Sequence, residues 1–348
     1  MKELVDILRA EHHLESGDYK ALLHSEDESV VTYLHRQARE VADEVFGKGI
    51  FVRGLVELTN VCHNDCYYCG IRRSNSQVER YMLTTEQVMR CCQQGYELGF
   101  RTFVLQGGEL PQDKAQWIVS LISEIRQRWK DCAITLSLGE WPREAYEAFR
   151  KAGADRYLLR HETHNAEHYG KLHPAEMLLE RRLQCLEWLK ELGYQVGTGI
   201  MVGSPCQSLE NIVEDIEFIE RFQPEMIGLG PFVPQHDTPF GNHPTGSADL
   251  TTRLYSIFRL MFPNALIPST TALNSIDPNG RIMGIMAGAN VVMPNLSPTE
   301  VRGNYTLYDG KVGTNAEAAE GITQLETQLA TIGYHIDWRR GDHYLSVK

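Results

Sequence analysis

Residues 60–70 read NVCHNDCYYCG, with cysteines at Cys62, Cys66 and Cys69 in a C-x3-C-x2-C spacing. An apolar, strand-like run, FVRGLVELT (51–59), precedes them, and a basic, polar stretch, 71–80, follows. Three thiolates on one short loop can converge on a single soft centre, and zinc and iron–sulfur clusters both take such ligands. Three is one fewer than the usual four, so a [4Fe-4S] cluster held this way leaves one iron open to another ligand. With His63 as a fourth ligand, the same residues could make a structural Cys3His zinc site, although zinc knuckles more often split C-x2-4-C pairs across two loops. The surrounding chain has to decide.

Outward from this loop the chain alternates. Strand-like runs fall at 52–58, 102–106, 133–138, 156–160, 196–202, 226–230, 266–269 and 290–293, with helix-like segments between them. One helix begins at Thr84 and another near Thr314, where T-x-x-Q and T-x-x-E offer capping boxes. Eight strands alternating with helices predict an α/β chain with a parallel sheet, and eight is the number that closes a (β/α)8 barrel, a fold that suits 348 residues. The expected architecture is a complete TIM-type barrel over 49–348, including a C-terminal helix and tail. A helical extension over 1–48 precedes it, with Leu4, Ile7, Leu8 and then Val31, Leu34, Ala38, Val41 at helical spacing. The tail HIDWRRGDHYLSVK is expected to pack across the outside. The cysteine loop then follows strand one at the C-terminal mouth, where barrel enzymes keep their chemistry. A structural zinc knob has no reason to sit there.

Composition excludes other classes. A net charge of −12 argues against a nucleic-acid surface. No apolar run approaches the roughly 20 residues that span a membrane. The N-terminus MKELVDILRAEHH carries charges through its first turns, unlike a secretory signal, so a cytoplasmic protein is expected. In that compartment disulfides are not expected. Cys91, Cys92, Cys132 and Cys185 read as buried and inert, while Cys206 lies in a loop, SPCQ. There is no phosphate-binding G-x-x-x-x-G-K-[ST], and GTGIMVG at 197–203 is not a dinucleotide fingerprint.

Further candidate residues fall at the expected strand ends: Gln106-Gly107-Gly108-Glu109, Ser137 with Glu140, Arg160 with Glu162, Ser269-Thr270-Thr271, and Met293. Arg181 and Arg182 lie on the fourth helix. Two glycines at a strand end let the backbone approach a ligand closely.

Together these residues resemble the radical S-adenosylmethionine (SAM) superfamily, with an aromatic residue, Tyr68, before the third cysteine and GGE at the next strand end. Within it, NVCHNDCYYCGIRRSN, the run from Ile134 to Asn165, GYQVGTGIMVGSP, GLGPFVPQHDTPF, IPSTTAL and AGANVVMPNLSP resemble the HydE family of [FeFe]-hydrogenase maturases, which belongs with biotin synthase and methylornithine synthase inside that superfamily. The likeness covers about residues 50–310. It implies one [4Fe-4S] cluster on Cys62, Cys66 and Cys69. It implies SAM contacts at Tyr68, Gly107, Gly108, Glu109, Ser137, Glu162 and Arg182, the last chosen over Arg181. Arg160, Thr270, Thr271 and Met293 match positions near the substrate, and so do Tyr305 and Tyr308. The zwitterionic sulfonium of SAM needs carboxylates for its positive groups and an arginine fork for its carboxylate.

The implied reaction is reductive cleavage of SAM to methionine and a 5′-deoxyadenosyl radical. The implied substrate is a small organometallic species, a cysteine-bound Fe(CO)2(CN) precursor supplied by a partner maturase, with electrons from a ferredoxin or flavodoxin. Some family members hold a second cluster through C-terminal cysteines. This chain has no cysteine after Cys206, so one cluster is expected. The rival readings are a methylornithine-type amino-acid mutase and a non-catalytic zinc- or cluster-binding scaffold.

Overall fold

The apolar runs become a parallel sheet because each is followed by a helix long enough to cross back over it. The structure, a computed structural model, describes residues 1–312 and 318–344. Its strands are β1 (Gly49–Val52), β2 (Gly54–Thr59), β3 (Thr102–Gly107), β4 (Ala133–Ser137), β5 (Arg156–Leu158), β6 (Gln195–Thr198), β7 (Met201–Val202), β8 (Met226–Ile227), β9 (Gly230–Pro231), β10 (Val291–Val292) and β11 (His335–Asp337). The central sheet has the order β2-β3-β4-β5-β6-β8, all parallel. Val56, Leu105 and Leu136 lie in register across its first three strands and are fully buried. Helices Thr85–Glu97, Ala115–Arg128, Arg143–Ala152, Leu179–Glu191 and Leu209–Phe222 make the crossovers. The first opens with a reciprocal capping box between Thr84 and Gln87. The capping box expected at Thr314 lies outside the described residues.

The sequence predicts one closed eight-stranded barrel. The ladder is instead divided into sheets of six, three (β10-β1-β11) and two (β7-β9) strands. The breaks have local causes. The first run switches partners at Arg53, so that β1 pairs with β10 and β2 with β3. The fifth breaks after Thr198, where Gly199 approaches so closely that a Cβ would lie 1.8 Å from the Gly228 carbonyl oxygen. The seventh run, 266–269, contains Pro268, which has no N–H to donate. It contributes only single parallel bridges, Met226↔Leu266 and Pro268↔Val291, while Leu55↔Asn295 joins β2 to the chain after β10.

The tail does not lie across the outside as expected. β11 adds to β1, with Ile50 opposite Ile336. The following turn then reaches Arg156 at the start of β5. The fully buried Arg156 donates to the carbonyls of Arg340 and Gly341 and pairs with Asp342 at 2.7 Å. This seals the end of the sheet opposite the cysteine loop.

Helices Lys2–Glu11, Ser16–His24 and Glu28–Phe46 precede the sheet. Val5, Leu8, Leu34 and Ala38 are buried in the same apolar cluster as helix Ala248–Met261. His12 bonds the Leu260 carbonyl, and His35 bonds Ser256.

Candidate active site

The loop after β2 is fixed by its own backbone. Arg80 donates to four carbonyls, those of Asn60, Ile71, Arg72 and Asn75. Asn60 bonds the carbonyls of Glu79 and Asn304, and Arg72 pairs with Asp65 at 2.7 Å. Gly70 donates to the Leu307 carbonyl, and a Cβ there would lie 2.0 Å from the Thr306 oxygen. The basic stretch 71–80 thus serves as a clamp on the cysteine loop, which neither its charge nor its spacing signals in the sequence.

The GGE stretch at the end of β3 meets this loop directly. A Cβ on Gly108 would lie 2.2 Å from the Val61 carbonyl oxygen, so only glycine fits. Glu109 donates its N–H to Cys62 Sγ at 3.3 Å, and its carbonyl accepts from the His63 N–H. The Glu109 carboxylate is buried 3.3 Å from His63 and rests against Gly139, where a side chain would collide with it.

Beyond β4 and β5 the polar groups pair across the mouth. Arg160 meets Glu162 at 2.6 Å. Arg182 donates to Glu140 at 2.6 Å and to the Arg160 carbonyl. Arg181 lies over the Trp188 ring, donates to the Trp141 carbonyl and comes no nearer than 3.9 Å to Glu140, and of the two arginines only Arg182 lines the cavity. Tyr68 bonds His173 at 3.1 Å.

These groups line one cavity of about 340 Å³. Cys62, Cys66, Tyr68, Cys69, Gly107, Gly108, Glu109, Ser137, Arg160, Glu162, Arg182, Thr270, Met293, Tyr305 and Tyr308 all face it. Thr271 does not. It begins helix Thr271–Ile276, and its carbonyl accepts from Ser275. The sequence reading missed Met201, Phe232 and Val233 on the same wall. They carry no chemical signature; their only signal was a position at or just after the end of a strand-like run.

The three cysteines are free thiols. Burial and the neighbouring Cys69 and Cys62 push the Cys66 thiol well up, and burial with Cys62 pushes Cys69 up to about 12. Thiols crowded in this way resist ionisation until a cationic centre lies among them, so the donor set fits a metal–sulfur group. Among the described residues, no three His, Cys, Asp or Glu side chains are already drawn to metal-ligand distances.

The profile of the Radical SAM superfamily matches residues 56–219, the span from β2 through helix Leu209–Phe222. The HydE subunit of the [FeFe] hydrogenase maturase from Thermotoga maritima is 43% identical over 279 residues, 80% of this chain and 79% of that protein. The chain belongs to the radical SAM superfamily. As a radical SAM protein it is a SAM-cleaving enzyme, with the cysteine loop and GGE on neighbouring strand ends of one sheet. Two further similarities lie within the superfamily. The 3-methylornithine synthase of Methanosarcina barkeri is 28% identical over 300 residues, 86% of this chain and 84% of that protein. The crystal structure of methylornithine synthase (PylB) superposes with a TM-score of 0.84 at 25% identity, covering 96% of this chain and 97% of that one.

Proposed function

We propose that this radical SAM enzyme is a HydE-type maturase that works in assembly of the [FeFe]-hydrogenase H-cluster on a cysteine-bound Fe(CO)2(CN) precursor. The 43% identity to the Thermotoga maritima HydE subunit carries the reading, against 28% to 3-methylornithine synthase. Cys62, Cys66 and Cys69 would hold one [4Fe-4S] cluster. When bound, that cluster supplies the electron for reductive cleavage of SAM.

The chain's own residues do the rest. Glu109 and Glu162 present carboxylates to the positive groups of SAM, and Arg182, held by Glu140, offers a guanidinium to its carboxylate. Gly107 and Gly108 let the ligand approach the backbone of β3, and Tyr68 and Ser137 bound it. Arg160 and Thr270 face the remaining space, where a guanidinium suits an anionic substrate. Tyr305, Tyr308 and Met293 complete the wall and exclude water. A ferredoxin- or flavodoxin-like donor, a partner maturase supplying the precursor and a cytoplasmic setting complete the reading. Among the described residues no helix is long and apolar enough to cross a membrane.

The test is deletion in a host that makes [FeFe]-hydrogenase. Active hydrogenase should fall to background and return with the wild-type gene but not with Cys66→Ala. Unchanged maturation in the deletion strain would sink the assignment. A scaffold would fail earlier, by not cleaving SAM after anaerobic reconstitution with a strong reductant. The PylB likeness favours a shared fold and does not by itself favour an amino-acid substrate.

A further inference from the structure

We propose that Asp215 is a positioning residue for Glu162: from helix Leu209–Phe222 it grips both flanks of that residue and aims its carboxylate into the cavity. The inference rests on the reading of Glu162 as a SAM contact. Glu162 is one of the few non-glycine residues with a left-handed backbone, at φ 66°. An L side chain adopts that conformation only where its surroundings impose it.

Asp215 supplies the constraint. Its Oδ1 accepts from the His164 N–H on one side and lies 3.2 Å from His161 Nε2 on the other. His161 Nδ1 in turn meets the Thr198 hydroxyl at 2.8 Å. Thr198, His161 and Asp215 are all fully buried. Phe218, one turn along the same helix, stacks on His164 and meets His161 edge-on. Thr198, His161 and Asp215 do not line the cavity. A carboxylate and an imidazole hidden in the core are costly to keep there, and an apolar pair would pack as well. What distinguishes this pair is its place: His161 and His164, both held by Asp215, flank Glu162 and Thr163, and of those two only Glu162 lines the cavity. The backbone of Glu162 is then finished by Gly199 and Met201, whose carbonyl and N–H it bonds.

Equilibrium dialysis of SAM against the reconstituted, oxidised protein reads affinity without turnover. Asp215→Leu, which fills the space but removes the acceptor, should bind SAM about tenfold more weakly with iron content unchanged. Asp215→Asn keeps an acceptor oxygen and should stay within about twofold of wild type. In a Glu162→Gln background, Asp215→Leu should add less than about twofold, because it acts through Glu162. A variant that melts earlier yet binds SAM as tightly as wild type overturns the proposal. If Asp215→Leu does not fold, Thr198→Val removes the far end of the chain at constant volume. It should weaken SAM several-fold, and unchanged affinity overturns the proposal equally. If Glu162→Gln itself leaves affinity unchanged, the SAM role of Glu162 fails and this inference falls with it. If Glu162→Gln weakens SAM but neither Asp215→Leu nor Thr198→Val does, only this inference falls.

Discussion

The backbone N–H of Glu109 donates to the Sγ of Cys62 at 3.3 Å. That bond joins the two motifs, one from the end of β2 and one from the end of β3, into a single wall of the cavity. The contact depends on Gly108, which lets the two loops touch. Gly108→Ala puts a methyl group 2.2 Å from the Val61 carbonyl and 2.8 Å from Cys62 Cβ. Overpacking of this kind costs about 1–3 kcal/mol. We expect a lower melting temperature together with at least tenfold weaker SAM binding, measured on the reconstituted protein. A variant that loses stability but keeps SAM affinity would place Gly108 outside the binding wall.

Arg80 should matter as much as a cysteine for loading the site. Its guanidinium satisfies four carbonyls of the loop that carries the three cysteines. Arg80→Ala strips charge-assisted bonds worth about 1.5–3 kcal/mol each at most. Iron incorporated per chain should fall several-fold, with far-ultraviolet circular dichroism unchanged. Lysine cannot fork to four carbonyls, so Arg80→Lys should recover little.

Lys311 and Glu57 form a buried pair at 2.5 Å, and Asn295 donates to the same carboxylate. Lys311 also donates to the Tyr305 carbonyl, so the pair ties the segment carrying Tyr305 and Tyr308 to β2. Removing one partner strands a buried charge, at about 3–5 kcal/mol. Lys311→Met should therefore destabilise more than Lys311→Met combined with Glu57→Gln, as read by denaturant unfolding.

Part of the protein's acid sensitivity should trace to the seal opposite the active site. Burial alone would raise the Asp342 carboxyl, but hydrogen bonding to Arg340 and the charge of Arg156 outweigh it and hold it at about 2. The unfolded value is about 3.9. A depressed folded value gives stability that is fully present above pH ~4 and lost as pH falls towards ~2, about 2–3 kcal/mol in all. Asp342→Asn should be less stable at neutral pH and lose correspondingly less between pH 4 and pH 2. Equal losses in the two proteins would show that Asp342 does not contribute to the acid sensitivity.

Much of the site could be read from the sequence because its signals are local. Cysteine spacing, paired glycines at a strand end and the alternation of strand and helix are all written within a few residues of one another. The unreadable parts depend on contacts distant in sequence. Arg156 and Arg160 look alike on one strand-like run, yet the first is buried against a tail nearly two hundred residues away and the second lines the cavity. Thr270 and Thr271 are adjacent, but the helix that starts at Thr271 turns it from the cavity. The single closed barrel failed for a related reason. Hydrophobic runs mark where strands lie, while Gly199 and Pro268 decide where their ladders break. Asp215 was an ordinary acidic residue on an amphipathic helix until the fold placed it beside His161.

The most direct measurement follows the carbonyl and cyanide stretches of a cysteine-bound Fe(CO)2(CN) precursor by infrared spectroscopy, with the reconstituted protein, SAM and a reductant. The precursor bands should disappear in step with formation of 5′-deoxyadenosine, and neither change should occur with Cys66→Ala. SAM cleavage by the wild-type protein with the precursor bands unchanged would contradict the proposed function.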